Sequence, residues 1–368
     1  MSIKRPVIGH ENVALIQSDS PCHTTAANSG DSLSFLPSVQ GISFSFNIKR
    51  SQEGGIGSKN LLSNSSWQSP DVSFNISANE DFGNLFSNVM TGSGISTDSS
   101  GVINLDTDRN FYALINDRKG FSMLDKNKDL TEVDVLSFGN CFLTDVSISQ
   151  SIAGFLTSEY SFIGSNMQAQ RFSSFTTGEY AGGSGKAPSF NLTGDQSQNI
   201  PVVFNKIPAD FSKSFASGFF TETGRLIPSH GTSIVLSNNN TIAKIDSIQN
   251  ISLNLPIPRK TIYSIGKKNP VTRKSIFPSM CSLNLDSFVS NFSTTGTTSN
   301  LKEFLAKDEN YRITLTFKNL QNKNQNFIIK NAKLINNEYS MGMGENLTCS
   351  LGFNFGINNF RKSGEGIF

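Results

Sequence analysis

Apolar and polar residues alternate over several stretches of this chain. From Ile42 to Ile48, Ile and Phe alternate with Ser and Asn, and from Ile251 to Ile257, Ile and Leu alternate with Ser, Asn and Pro. The stretch from Leu347 to Phe355 alternates in the same way. A period of two gives a strand one buried face and one polar face, so the pattern predicts a mainly β protein. Pro256 cannot donate a sheet hydrogen bond and is expected at a sheet edge or a bulge.

The alternating pattern occurs twice, and part of its amino-acid sequence is repeated. At a spacing of 209 residues, Gln40 to Asn60 match Gln249 to Asn269 at nine of 21 positions. At a spacing of 191 residues, Leu136 to Gly164 match Phe327 to Phe355 at six positions. Matches in the same order indicate an internal duplication. We predict two tandem copies of one β domain, preceded and separated by other segments: an arm at 1–35, copies at 36–170 and 245–368, and a connector with some strands at 171–244.

Short stretches outside the matched blocks add detail to this layout. Asn79 to Met90 and Ser299 to Lys307 begin near capping residues and carry apolar residues at helical spacing, which predicts one short flanking helix in each copy. In the connector, Ile200 to Phe204 and Thr232 to Leu236 predict strands.

Composition narrows the class of protein. The chain has 368 residues, 30 Phe, 16% charged residues and a net charge of +2. A nucleic-acid binder that neutralises phosphates is normally visibly basic, so this balance argues against one. No stretch approaches the roughly 18 apolar residues of a membrane-spanning helix, and we expect no membrane insertion. The N-terminal sequence lacks a signal-peptide pattern, and the four Cys show no paired spacing, so synthesis in a reducing cytoplasm is expected.

Candidate catalytic and metal motifs fail at their required positions. Gly182 to Lys186 resembles a phosphate loop but has Ala187 where Ser or Thr is needed. Asp125 to Leu136 begins like a calcium loop but ends in Leu instead of Glu. The three His have no companions at metal-ligand spacing. We therefore predict no metal, no cofactor and no enzymatic activity. One Trp and six Tyr against 30 Phe also disfavour a sugar-binding platform, which usually exposes Trp and Tyr.

The two repeated blocks resemble the tail tube (major tail) proteins of tailed bacteriophages. The pieces that carry the resemblance are a strand with a long loop, a return strand, a short helix and closing strands. These lie at 42–67, 72–76, 79–90 and 135–162 in the first copy, and at 251–266, 281–285, 299–307 and 327–355 in the second. The resemblance implies a β-sandwich or barrel with one flanking helix.

Several expectations follow from this resemblance. Such proteins form rings that stack into a hollow tube through which DNA passes to the host, and a duplicated chain resembles the variant with three subunits in a pseudo-sixfold ring. The implied partners are copies of the chain itself, the tape measure protein in the lumen, the tail tip or baseplate and the terminator. The implied location is the virion tail, after synthesis in the host cytoplasm. The long loops of the family contact the next ring, which makes these residues candidates for inter-ring contact: Arg50, Ile56, Gly57, Arg259, Ile265 and Gly266.

Alternative functions remain open at this point. The chain could be another virion β protein, such as a baseplate, tail-terminator or decoration protein, or a related secretion-system tube subunit. A carbohydrate-binding adhesin is a third class. For the Gly pair, Gly57 and Gly266, the other interpretation is that they only allow a turn with positive φ. We expect acidic and polar residues to face the lumen, because DNA must slide past the wall without being held.

Overall fold

The computed structural model describes the following residues: 13–18, 33–36, 39–47, 71–79, 109–115, 134–164, 166–171, 226–238, 241–245, 248–263, 265, 270, 272–288, 293–295, 310–320, 324–340 and 348–363.

Strands dominate the described residues, which confirms the prediction of a mainly β protein. The strands of the first half are β1 Val13–Ser18, β2 Leu33–Phe35, β3 Val39–Asn47, β4 Asp71–Asn79, β5 Arg109–Ile115, β6 Asp134–Ser151, β7 Thr157–Gly164 and β8 Asn166–Arg171. Those of the second half are β9 Thr232–Asn238, β10 Thr241–Ile245, β11 Ile248–Pro256, β12 Arg259–Ile262, β13 Thr272–Ser275, β14 Met280–Phe288, β15 Ser293–Thr295, β16 Tyr311–Lys318, β17 Asn324–Ser340, β18 Thr348–Gly356 and β19 Phe360–Ser363. Single 3-10 turns lie at Ser229–Gly231 and Ile357–Asn359.

Antiparallel pairing arranges these strands in a central sheet, two outer sheets and a separate hairpin of β12 and β13. The central sheet has the order β3-β4-β7-β6-β11-β14-β18-β17. One outer sheet has the order β2-β1-β5-β6-β8, and the other β15-β10-β9-β16-β17-β19. The long strands β6 and β17 each contribute one half to the central sheet and the other half to an outer sheet. Within the described residues the strand pairing closes no barrel. Of the two predicted architectures, sandwich and barrel, the packed sheets agree with the sandwich.

Aromatic side chains join the central sheet to the outer sheets. Phe74 on β4 stacks on Phe138 of β6 at a ring-centroid distance of 4.3 Å and lies 5.1 Å from Phe111 of β5. In the second half, the rings of Tyr311 on β16 and Phe353 on β18 lie 5.8 Å apart. All five side chains are buried. The apolar residues of the alternating stretches therefore face the core. Burial of rings of this size is the main stabilising contribution in such a fold.

The strand pairing of the first half recurs in the second half with constant residue spacings. Strands β1 to β8 correspond in order to β9, β10, β11, β14, β16, β17, β18 and β19, while β12, β13 and β15 are additional. The strands of the β3–β4 pair are shifted by 209 residues and those of the β6–β7 pair by 191, the two spacings found in the sequence. Matching pairs are Ile42–Ile76 with Ile251–Leu285, Phe74–Phe162 with Leu283–Phe353, and Leu143–Phe162 with Leu334–Phe353. Because β6 and β11 join both halves in one sheet, the predicted domain boundaries stay a prediction.

The bulges of the long strands recur as well. β6 shifts register between Leu143 and Asp145, and β17 between Leu334 and Asn336, 191 residues later. A second shift lies beside Asn331, whose φ of 53° is left-handed. Asn tolerates this conformation better than other non-glycine residues, which gives a physical reason for Asn at this bulge.

Several expectations differ from the structure or fall outside it. Asn79, expected to begin a helix, is the last residue of β4, and both the rest of that stretch and 299–307 lie outside the described residues. Pro256 ends the interior strand β11, beyond its last pair with β14, so it is not at a sheet edge. It pairs with Asp145, which lies at the β6 bulge, so the alternative expectation of a bulge is met on the partner strand. A proline at a strand end avoids the lost hydrogen bond just as an edge position would.

Strands also occur in the segments expected to be the arm and the connector. β9 confirms the strand predicted at Thr232 to Leu236, whereas the predicted strand at Ile200 to Phe204 lies outside the described residues. β1, in the expected arm, is paired along six residues with β5. Its six residues are too short for a clear alternation, and it owes its position to tertiary pairing instead of local sequence.

Candidate functional site: the polar face of the central sheet

The outward face of the central sheet is lined by short polar side chains. On β4, Val72, Phe74 and Ile76 are buried, while Ser73 and Asn75 between them are exposed. The same alternation runs through the neighbouring strands. We define the polar face by the outward-pointing residues of these segments: 41–45, 73–77, 145–151, 157–161, 250–254, 282–286, 336–340 and 348–352.

The charged residues of the polar face are all acidic. They are Asp145, Glu159, Asp286 and Glu338, and no segment of the polar face contains Lys, Arg or His. A basic residue, Lys333, stands at the margin of this face, opposite Asn354. The segments of the polar face therefore carry only negative formal charge, and the cation nearest to them in the β17–β18 register, Lys333, stands at the margin.

Side chains of the polar face bond to one another across strands. Asp286 accepts hydrogen bonds from Asn250 Nδ2 at 3.3 Å and from Ser350 Oγ at 2.6 Å. The hydroxyls of Ser149 and Thr157 are 3.0 Å apart. Because these groups are short and bond within the sheet, the face presents an even surface of hydroxyls, amides and carboxylates.

Asp145 lies at the β6 bulge, on the same face of the sheet as Glu159 of β7. Partial burial raises the pKa of its carboxyl, and the negative charge of Glu159 on β7 raises it further. Burial also raises the pKa of the Cys281 thiol to about 12, with a further contribution from Asp145. A raised pKa disfavours the thiolate, which is the reactive form, at neutral pH.

The hairpin β12–β13 is anchored on the first half of the chain. Arg259 donates from Nε to the Leu143 carbonyl at 2.8 Å, and its guanidinium carbon lies 5.5 Å from the ring centre of Phe142. Arg273, only 1% exposed, forms a 2.9 Å ion pair with Asp71 at the start of β4. The hairpin thus spans the junction between β11 and the first-half strands.

The residues predicted for inter-ring contact are only partly within the described structure. Arg259 lies at the base of the hairpin, against β6. Ile265 beyond β12 is fully exposed. Their role in inter-ring contact stays a prediction, and the other four positions lie outside the described residues: Arg50, Ile56, Gly57 and Gly266.

Sequence reasoning missed two features of this region. The four acidic residues occupy polar positions in strands that alternate between apolar and polar residues. This alternation could have identified each of them from the sequence. The Asp71–Arg273 pair spans about half the chain and carries no local signal.

The described residues hold no group of three or more His, Cys, Asp or Glu placed to bind a metal ion. A shallow groove of about 270 Å³ at one corner of the polar face is lined by Ser43, Asn75, Ser77 and Glu159, among others. Among the helices of the described part, none is long and apolar enough to cross a membrane.

Comparison with known proteins gives a limited result. No family model matches the sequence, and no curated protein matches it. Among solved structures, a chain of the "Cryo-EM structure of the anti-feeding prophage (AFP) baseplate, 6-fold symmetrised" aligns with 38% of this chain and 96% of its own length. The identity is 14% and the TM-score 0.27, a similarity too low to carry a functional argument.

Proposed function

We propose that this protein is a structural virion protein of a tailed bacteriophage, the subunit of its tail tube. In this proposal the chain assembles with copies of itself into rings, and the rings stack into a hollow tube for DNA. The tape measure, tail tip and terminator proteins are the expected further partners. The chain would perform no catalysis and hold no cofactor.

The polar face is the observation that carries this proposal. A wall that guides DNA must stay hydrated and must not hold phosphates. The segments of the polar face carry hydroxyls and amides that bond within the sheet, four carboxylates and no basic residue, with Lys333 at the margin. This composition favours both conditions, because each cation on such a wall would add a phosphate contact. The near-neutral net charge of +2 agrees with this proposal, because the chain as a whole carries no excess of basic residues for binding DNA.

The recurrent strand registers support the ring geometry of the proposal. If the two halves are two copies of one domain, three chains supply six similar domains. Head-to-tail contacts between like subunits close into a ring when the rotation between them allows it. The central sheets of neighbouring chains would then form one continuous lining with the polar face inward.

Stacking of the rings is assigned to the long loops. The fully exposed Ile265 is suited to packing against a neighbouring ring, and Arg259 would hold the hairpin in place for that contact. In the first half, Arg50, Ile56 and Gly57 would act in the same way. If the double variant Arg50→Glu, Arg259→Glu still forms tubes of normal length, this assignment is wrong.

Negative-stain electron microscopy of the purified protein, with mass measurement of any rings, tests the proposed function. We expect hollow tubes, or rings of three chains with six lobes in averaged images. A protein that stays monomeric at high concentration and in the presence of a tail-tip nucleator would contradict the proposal. Closed rings that never stack would instead support a baseplate or terminator role.

A further inference from the structure

The junction between the two halves of the chain is an edge-to-edge strand pair. β6 and β11 pair antiparallel from Ser151–Asn250 to Asp145–Pro256. Leu253 faces Ile148 across this pair, and each is 1% exposed. Backbone bonds continue beyond it, from Ile257 N to Thr144 O at 2.7 Å.

The counterparts of these two strands lie at the opposite ends of the central sheet. The recurrent registers equate β11 with β3 and the second part of β6 with the second part of β17. Among the described residues, β3 is paired only with β4, and segment 336–340 of β17 only with β18. Segments 41–47 of β3 and 336–340 of β17 therefore each have one edge to which the described structure assigns no strand pairing, and such edges are templates for another chain.

Apolar side chains at these two edges are exposed where their counterparts are buried. Phe44 on β3 corresponds to Leu253 and is 45% exposed, and Tyr339 on β17 corresponds to Ile148 and is 46% exposed. Both point to the core side of the sheet, because Phe44 faces the buried Phe74 and Tyr339 faces the buried Cys349. A partner strand that brings Phe44 and Tyr339 together would bury both.

We propose that β3 of one chain pairs antiparallel with β17 of the next, in the register of the β6–β11 junction. The register places Ser43 opposite Ser340, Phe44 opposite Tyr339, and Ser45 opposite Glu338. The partner is a second copy of this chain, and the contact is head to tail because the two edges differ. This inference rests on the proposed function and specifies its ring contact at the level of residues.

Engineered disulfides test the register directly. In a Cys22→Ser background, the variant Ser43→Cys, Ser340→Cys places two thiols directly opposite, with Cβ atoms about 4.5–5.5 Å apart, close to disulfide range. The matched control Ser43→Cys, Asn336→Cys displaces one thiol by four residues, about 13 Å along the strand. The other native thiols, Cys141, Cys281 and Cys349, are buried. After mild oxidation, we expect non-reducing electrophoresis to show multimers for the first pair and about tenfold less for the control, with peptide mass mapping identifying the interchain link.

A charge series gives an independent test of the same register. Ser45→Glu would face Glu338 and should raise the concentration needed for assembly by about two- to fivefold. Adding Glu338→Lys should reverse the effect. The control Ser73→Glu puts the same charge on the same face one strand further from the edge, and should change assembly less. Thermal unfolding of each variant establishes that it is folded before assembly is compared.

The outcomes separate this inference from the proposed function. Interchain links at 43–340 support the β3–β17 contact. Rings seen by microscopy without these links overturn the contact and leave the tube function standing. Links in a protein that never forms rings support the contact and overturn the tube. A folded protein with neither links nor rings overturns both.

Discussion

Asp145 shows how a single position depends on its three-dimensional neighbours. Its place on the polar parity of β6 follows from the alternation of Val146 and Ile148, so its outward direction could be predicted from sequence. Its raised pKa could not, because it depends on burial at a bulge and on Glu159 across the β6–β7 register. Sequence alone does not fix such a register.

Replacing Asp145 by Asn should stabilise the protein at neutral pH. A carboxyl with a raised pKa in the folded state binds protons better there than in the unfolded state, so its ionisation lowers stability as pH rises. We expect Asp145→Asn to increase the free energy of unfolding by at most about 0.5 kcal/mol at pH 7–8. The gain should shrink as the pH falls through the raised pKa of the folded state and vanish below about pH 3, where the carboxyl is protonated in both states. Asn336 occupies the corresponding position of β17, so the substitution is compatible with the local backbone.

Thermal unfolding between pH 3 and pH 8 measures this difference. Ser147→Asn on the same strand and face is the matched control, since it adds an amide without removing a charge. A gain that is the same at every pH would contradict the electrostatic explanation.

At the scale of elements, the hairpin β12–β13 is the part that sequence patterns identify least well. Its strands, Arg259–Ile262 and Thr272–Ser275, lack a regular alternation of apolar residues, and the sequence predicts only a long loop in this region. Contacts to distant strands hold it in place, namely Arg259 with the Leu143 carbonyl and Arg273 with Asp71. By contrast, the central strands could be predicted, because each has a buried face that imposes a period of two.

The Asp71–Arg273 pair should be the main anchor of this hairpin. Asp71→Asn removes the Asp71 carboxylate from the buried Arg273 guanidinium, and breaking a buried pair in this way typically costs about 3–5 kcal/mol. Since Asp71 is 21% exposed, we expect a loss near the lower end, about 3 kcal/mol, measured by denaturant unfolding. Trypsin should also cleave faster at Lys260 and Lys274. Lys274→Gln, at an exposed position of the same hairpin, is the control, and equal stability of the two variants would contradict the anchoring role.

At the scale of the whole molecule, the polar face predicts how assembled protein treats DNA. Wild-type tubes should not retain a short labelled DNA duplex at physiological salt. Glu159→Lys adds a cation to the polar face, and tubes of this variant should retain the duplex. Their retention should weaken with salt: the logarithm of the binding constant should fall with the logarithm of the salt concentration, with a slope of about −0.9 for each phosphate contacted. Asp134→Lys makes the same charge change outside the polar face and should have little effect. Co-sedimentation of duplex with tubes provides the measurement, and equal retention by the two variants would argue against the polar face as the lining.

The arrangement of the two halves of the chain is only partly predictable from the sequence. The two spacings, 209 and 191 residues, indicate a duplication from the sequence alone, and the registers recur at those same spacings. The joining of both halves in one sheet through β6 and β11 is not predictable, because edge strands are recognised only once their neighbours are known. For the same reason, the pattern at Thr232 to Leu236 predicts β9 as a strand but not its place in an outer sheet, and sequence patterns do not reveal β1, β2 and β10.

The recurrent register has a consequence for the charges of the proposed lining. No acidic residue of the polar face has an acidic counterpart in the other half of the chain. The corresponding positions are Asp145 with Asn336, Glu159 with Ser350, Asp286 with Ser77, and Glu338 with Ser147. A ring of six identical domains would have to repeat each carboxylate six times, whereas a fused pair can place each one on alternate domains. The backbone of the proposed channel would then keep sixfold order, while its charge would have threefold order. Neighbouring domains would not present like charges at equivalent positions. DNA would therefore meet a wall whose negative charge is spread more evenly.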